Sequence, residues 1–572
     1  MPDLGITGPP SLRSGQADIA ESIVRGVYLL PGGRVDTQGQ SPFSVRPPDR
    51  LWAESLNGFN WLTHCATADS DKARVIARHC VSDWVDRCGR WEAVAWEPHI
   101  IGRRLLSWFT HTHLLIQNTE MVYRSKVIRS MGQQARHLTR VANGAPSGLP
   151  RLTAAMGVVL SGLCLSGGAK RIPIGLDLMK RELQGQILPD GVHASRNPAL
   201  HLDVLLDLVS IEKAFALAGR TSPEFLKESI RRLSLMVQFF LHSDGRLAVF
   251  QGGNECWADE IKAVLPQGNG SQIPSSGFAP WAGYQRLQGG ETVVLVETGS
   301  GEVASKQVPA VVPRLAFEMS AGTDRIIVNC GNTSFFGHKW AEAMWLPSAL
   351  STLTMNTQST GLGSMGVGRF AFRGAVTRRS RPAECLFHQD ETGVWTDATR
   401  VRGGVVHRRR LFLTSEGDSL RGQDILSSSV QRSGRSVKGE AVPFTIRFHV
   451  HPSCRASLAA GGQSVLIAPE HGMGWRFIAR CGEVPIAITL EGGVYVGEGA
   501  GEHIRRTHQI VVTSKTLSNI QSDTQIIIKW MFQKLERRPF DKVVSASSEQ
   551  DGCQFSLDFG EPDLKKNKNA QF

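Results

Sequence analysis

Cysteine is sparse in this chain and scattered. The ten thiols (Cys65, Cys80, Cys88, Cys164, Cys256, Cys330, Cys385, Cys454, Cys481 and Cys553) include no Cys-x-x-Cys pair, so the spacing names neither a zinc site nor a disulfide framework. They read as reduced and mostly buried. Long apolar runs are missing as well: the longest in the first half, Met156 to Leu165, falls well short of the roughly 20 residues that span a bilayer. No transmembrane helix is expected. The N-terminus, Met-Pro-Asp-Leu-Gly followed by Asp18 and Glu21, lacks the basic start and unbroken apolar run of a signal peptide, and Gly26 to Pro31 is too brief to supply one. The chain therefore either stays inside the cell or leaves by a route its sequence does not display. Aromatic residues are few, at 7%, and none is interleaved with the arginine pairs and triplets at 103 to 104, 231 to 232, 378 to 379 and 408 to 410. A stacking platform for nucleic acid is thus absent, as are helix-turn-helix, zinc and RNA-binding signatures.

What is present is charge and period. A net charge of +12 and a pI near 9.4 imply attraction to polyanions without identifying one. Near residue 285 the hydrophobic period changes from helical spacing to strand alternation. Residues 1–50, rich in Gly, Pro and Ser, read as an extended arm with one short helix around Ala17 to Val27. Residues 51–283 read as helical, with stripes such as Leu202, Leu205, Leu206, Val209 and Ile230, Leu233, Met236, Val237. Helices are expected at roughly 119–142, 150–166, 174–187, 199–218 and 223–241, in sequential antiparallel pairs that could form a bundle, a solenoid or a closed toroid. Strands are expected from 284 to 535, among them Thr292 to Glu297, Val405 to Leu413, Phe444 to His451 and Gly474 to Ala479, which together suggest a large antiparallel sandwich. Residues 536–572 read as a polar tail without a core.

Several stretches make this arrangement more specific. They are Gly89-Arg-Trp-Glu-Ala-Val-Ala-Trp-Glu-Pro98 with Gly102-Arg-Arg-Leu-Leu106; Leu188-Pro-Asp-Gly-Val-His-Ala-Ser-Arg-Asn-Pro198; Gly283-Tyr-Gln-Arg-Leu287; Val328-Asn-Cys-Gly331; Ser351-Thr-Leu-Thr354; and Val406-His-Arg-Arg-Arg-Leu411. From about residue 50 to 535 the chain resembles the heparinase II/III family of polysaccharide lyases, most closely the heparinase-like proteins of proteobacteria. The resemblance implies an α+β fold in which an N-terminal (α/α) toroid of paired helices precedes a C-terminal antiparallel β-sandwich, with an acidic, uronate-containing polysaccharide bound between them. It also implies β-elimination, in which a base removes the proton beside the carboxylate, a neutralising group steadies the anion and an acid protonates the leaving oxygen. Family expectation points to the cell envelope or periplasm; the missing export signal leaves the cytoplasm as the alternative.

The chain departs from the family at the reacting positions. Where the lyases carry their neutralising Asn or His this chain reads Leu149-Pro150-Arg151; where they carry the acid-base Tyr it has Leu200; where they carry a His before Ser-Thr-Leu it has Leu350. The sandwich's metal-binding His and Asp fall near Val311 and Pro313, so neither a metal nor another cofactor is expected. The remaining catalytic candidates are His193, Asn197 and Tyr284. His193 matches a family His position, Asn197 could equally cap the helix opened by Pro198, and Tyr284 could equally be a half-buried strand aromatic. Substrate-binding candidates are His201, Glu255 and Trp257, with His407, Arg408 and Arg409 on one strand. Alternation there places His407 and Arg409 on one face and Arg408 on the other. His449 and His451 share a face in the same way but lack a third ligand. The function expected is a lyase that cleaves an acidic, uronate-containing glycan such as glycosaminoglycan or alginate by β-elimination; the alternative is a catalytically degenerate glycan-binding or cell-envelope assembly protein on the same fold.

Overall fold

The computed structural model describes residues 3–265, 276–299, 314–355, 385–402, 405–428, 444–482, 484–499, 503–514 and 525–536. The tail expected from 536 onward lies outside the described residues from 537, as do Val311, Pro313 and Cys553. The nine described cysteines are free, and most are buried.

Helices dominate up to residue 264: α1 (Ala17–Val24), α2 (Arg50–Gly58), α3 (Leu62–Ala68), α4 (Asp71–Cys88), α5 (Pro98–Thr110), α6 (Thr112–Leu115), α7 (Met121–Val141), α8 (Leu149–Cys164), α9 (Arg171–Gln186), α10 (Pro198–Leu217), α11 (Glu224–Phe239) and α12 (Ala258–Val264). Their starts are chemically marked. Asp49 accepts the Trp52 N–H at 2.7 Å and Ser70 the Ala73 N–H at 3.2 Å, while Pro98 and Pro198 open α5 and α10. Helices α5 and α8 cross where Gly102 meets Gly157; a Cβ on Gly157 would lie 2.7 Å from the Gly102 Cα. No helix among the described residues is long and apolar enough to cross a membrane.

The N-terminal arm is more structured than its composition suggests. Besides α1 it holds a hairpin, β1 (Val27–Leu30) and β2 (Gly33–Asp36), which turns through Gly32 and Gly33 at φ +104° and +141° and buries Tyr28 and Leu30. Ahead of α1, residues 3–16 are stitched across the helices. The Gly5 N–H donates to the Cys164 carbonyl (2.8 Å), Arg13 pairs with Asp203 and Asp207, and the Ser14 N–H donates to Glu260 (2.9 Å).

The strands after residue 276 are β3 (Gly277–Ala279), β4 (Tyr284–Gly289), β5 (Thr292–Glu297), β6 (Phe317–Ala321), β7 (Asp324–Val328), β8 (Leu353–Met355), β9 (Cys385–Gln389), β10 (Gly393–Arg402), β11 (Val405–Thr414), β12 (Ser419–Ser428), β13 (Phe444–Val450), β14 (Arg455–Leu458), β15 (Ser464–Ala468), β16 (Trp475–Arg480), β17 (Ile486–Tyr495), β18 (Arg505–Ser514) and β19 (Ile526–Lys534); a helix α13 (His338–Met344) interrupts them. They form two antiparallel sheets. One runs β17-β18-β13-β7-β6-β5-β4-β3 with β8 added against β13; the other runs β14-β15-β16-β19-β12-β11-β10-β9. Leu287, Val294 and Phe317 of the first meet Leu411, Phe477 and Trp530 of the second in one hydrophobic cluster. The opposite face of the first sheet, through Tyr284, Val293 and Leu295, joins the core of the helices. This sheet is therefore covered on both sides, which explains why β5 reads Thr-Val-Val-Leu-Val-Glu with every residue buried.

Candidate functional site

Apart from His407, Arg408 and Arg409 on β11 of the second sheet, the sequence candidates gather where the helices meet the first sheet. The loop between α9 and α10 carries His193 and Asn197, and the first turns of α10 carry His201. In the loop the Asp190 carboxylate accepts the Ala282 N–H at 2.7 Å, which ties the loop to the entry of β4. His193 is fully buried: its Nδ1 lies 2.9 Å from Ser195 Oγ, its Nε2 3.2 Å from Gln186 Oε1, and its backbone N–H donates to His201 Nδ1. His201 is equally buried and places Nε2 2.8 Å from the Leu233 carbonyl. Burial drives both imidazoles down, His193 to about 3 and His201 to about 4. Both are neutral at physiological pH and occupied within the fold.

Asn197 caps α10. Its Oδ1 accepts the N–H groups of Ala199 (2.9 Å) and Leu200 (3.1 Å), and its Nδ2 donates to the Gln251 carbonyl. Beside it Arg196, at φ +57°, donates to the Ala282 carbonyl (2.6 Å) and pairs with Glu297 at 3.1 Å. Tyr284 is wholly buried rather than half-buried. Its hydroxyl donates to the Arg196 carbonyl at 2.7 Å, and its ring packs edge-on against Phe240. Burial pushes the phenol well above its ordinary value.

Glu255 sits at the centre of a second group spanning the two halves. It accepts from the Tyr495 hydroxyl, pairs with Arg246 at 2.9 Å, and lies 3.7 Å from Arg325 and 3.5 Å from His451. Burial alone would raise this carboxyl, but Arg325, His451 and Tyr495 hold it well below the usual range. Arg325 in turn grips Asp244 at 2.7 Å. Trp257 is half-buried against Gly499 and precedes α12. The Arg, His and carboxylate groups thus neutralise one another across the seam.

The strand alternation in β11 places His407 and Arg409 inside and Arg408 outside. His407 and Arg409 converge on Asp424, each at 2.7 Å, and Trp530 Nε1 donates to the same carboxylate at 2.8 Å. Burial opposes ionisation of Asp424, yet Arg409 and His407 depress it strongly. This group lies within the two-sheet half, apart from the seam; Arg408 pairs outside with Asp397. His449 and His451 share a face but not a ligand: His449 lies 3.0 Å from the Ser348 carbonyl, and His451 Nδ1 2.7 Å from Ser453 Oγ.

Sequence reading missed one arrangement entirely. His242 lies between Ser320 Oγ (2.8 Å) and Glu318 (3.1 Å), a serine-histidine-carboxylate connectivity, and Glu318 also accepts the N–H groups of Val249 and Asn329. His242 is 1% exposed, and Glu318 and Ser320 are wholly buried. No substrate carbonyl reaches such a serine, so the group joins the halves rather than cleaving anything. The alternation of Glu318 and Ser320 with Phe317, Met319 and Ala321 was the available signal. Among the described residues one trio could hold a metal, half-buried Glu54, Glu97 and His99, but Arg50 already pairs with both carboxylates at 2.7 and 2.6 Å.

Comparison with known proteins agrees with this architecture. Residues 272–536 match the family described as heparinase II/III-like, C-terminal. FtsZ-localized protein C of Caulobacter vibrioides is 31% identical over 525 residues, covering 90% of this chain and 88% of that one. The crystal structure of heparinase III superposes with a TM-score of 0.64 at 12% identity, over 87% of this chain and 79% of that one. A mutant of the heparan sulfate lyase HepC from Pedobacter heparinus gives 0.56 at 14% identity, over 91% and 83%. By its extended identity to the first relative and the match of its second half, the chain belongs to the heparinase II/III-like family.

Proposed function

We propose that this chain is a catalytically silent member of its family that serves as a binding protein of the division apparatus, localised with FtsZ. In this reading residues 51–283 form an (α/α) toroid and 284–535 a β-sandwich, with residues 1–50 fastening the helices, and the ancestral cleft between the two is kept as a joint. One observation carries it: His193, His201, Tyr284 and Glu255, the seam candidates able to move a proton, are at most 2% exposed and each already has a partner inside the protein. β-Elimination needs a base and an acid that reach a substrate. Leu200 supplies neither, and the half-buried His451 is already held between Glu255 and Ser453. The name of the 31% identical relative supports the second part of the reading.

Two measurements test it. Purified protein incubated with heparan, chondroitin and alginate is expected to give no ultraviolet absorbance of unsaturated uronate, and a steady rise with any of them would establish a lyase instead. A fluorescent fusion is expected to coincide with FtsZ in dividing cells; a diffuse signal would remove the division role. The lyase reading draws its support from the fold and from the net charge of +12.

A further inference from the structure

At the end of the first sheet, β13, β14, β17, β18 and the segment around the end of α13 enclose a groove of about 1080 Å³. Arg447 and His449 enter it from β13, Arg506 and His508 from β18, and Arg455 from β14. No Asp or Glu lines it. Arg455 and Arg506 are exposed, and among the described residues neither has a carboxylate partner. The nearest acid along β17, Glu491, is not part of the lining and accepts from Thr489 Oγ1 at 3.2 Å. The groove therefore carries a positive field that the fold itself does not neutralise.

Two further features restrict what would fill it. Along one side runs β17, which pairs with β18 alone among the described strands. Gly492 and Gly493 stand opposite His508 and Thr507 in that pair, and a Cβ on Gly492 would meet nothing within 4 Å. Bare backbone at a free edge accepts an added strand. The rest of the lining combines aliphatic side chains, among them Met344, Val494 and Leu346, the last 42% exposed, with the neutral polar Ser348, Thr507 and Gln509. No Trp, Tyr or Phe is present, so a sugar ring would find no aromatic face, whereas aliphatic side chains would find a floor.

The geometry points to this groove as a docking site for an extended acidic segment of a partner protein, its backbone adding to β17, its carboxylates meeting Arg455 and Arg506, and its aliphatic side chains covering Leu346 and Val494. The site stands independently of the division reading, because its probe is synthetic. A fluorescein-labelled peptide of alternating glutamate and valine, about ten residues long to match the strand, is titrated into the full chain by fluorescence polarisation. A lysine-valine peptide and a heparin oligosaccharide serve as comparisons. The glutamate peptide is expected to bind and to slow amide exchange over Thr489 to Val494, and the double variant R455E/R506E to weaken it by about tenfold or more. Both arginines are exposed, so an unchanged thermal midpoint shows the variant folded; R506Q alone provides the same comparison under milder change. Failure of the glutamate peptide to bind, equal binding by the double variant, or capture of the oligosaccharide through these arginines in its place would each overturn the assignment.

Discussion

Asn197 shows how the structural role of one side chain can be read from the sequence directly. An Asn before a Pro at a helix start is a capping signature, and Oδ1 spends its acceptor capacity on Ala199 and Leu200. Replacing it with Ala is expected to cost about 1 kcal/mol of stability in urea denaturation. The fate of His193 was not legible in the same way. Its partners Gln186 and His201 are brought to it by the folding of the loop, which no spacing rule encodes. Six buried histidines share that fate, in each case chiefly by burial: His193 is driven down to about 3, His111, His201 and His449 to about 4, and His242 and His407 also fall. Unfolding frees each to titrate near 6.5, so below that pH the unfolded chain takes up more protons. Stability from these groups is complete above about pH 6.5 and falls as pH drops toward their folded values, by about 1.4 kcal/mol per pH unit for each. The urea midpoint is expected to decline between pH 7 and 5, and a midpoint that held constant would contradict the burial described.

Among the elements, the long helices were legible because their apolar stripes repeat at 3.6 residues, and the observed α10 and α11 lie within two residues of the expected spans. Strands were legible where one face is polar, as in Trp475, Phe477 and Ala479 of β16, and where a continuous, largely β-branched run is buried on both faces, as in β5. Strand β12 was missed: Ser-Leu-Arg-Gly-Gln-Asp-Ile-Leu hides its inward positions behind a glycine and a buried acid. Both oddities have causes. Asp424 is buried because Arg409 and His407 neutralise it, and Gly422 is bare because the Trp530 ring fills the space a side chain would take, 2.1 Å from an added Cβ. Gly422→Ala is expected to displace that indole and destabilise the protein by about 1–3 kcal/mol, read from thermal melts of variant and parent. Removing the charge beneath it is expected to cost more: Asp424→Asn leaves Arg409 buried beside a neutral group, at about 3–5 kcal/mol.

For the molecule as a whole, the helices and the first sheet are joined by ion pairs and by a shared apolar core, so the halves are expected to melt together in calorimetry. Arg325→Met removes the cation that both Asp244 and Glu255 require. It is expected to lower the transition by about 3–5 kcal/mol and to broaden or divide it; a single unshifted peak would show the joint to be unimportant. The stitched N-terminus has a different consequence, one of timing. Ser14 and its acceptor Glu260 are 246 residues apart, so at ordinary synthesis rates the first segment emerges roughly 12–50 s before its last anchor exists. During that interval the leading residues have only the earlier-made anchors at Cys164, Asp203 and Asp207 to hold them. A nascent chain stalled before Glu260 should lose its beginning to added protease, while the released protein keeps it.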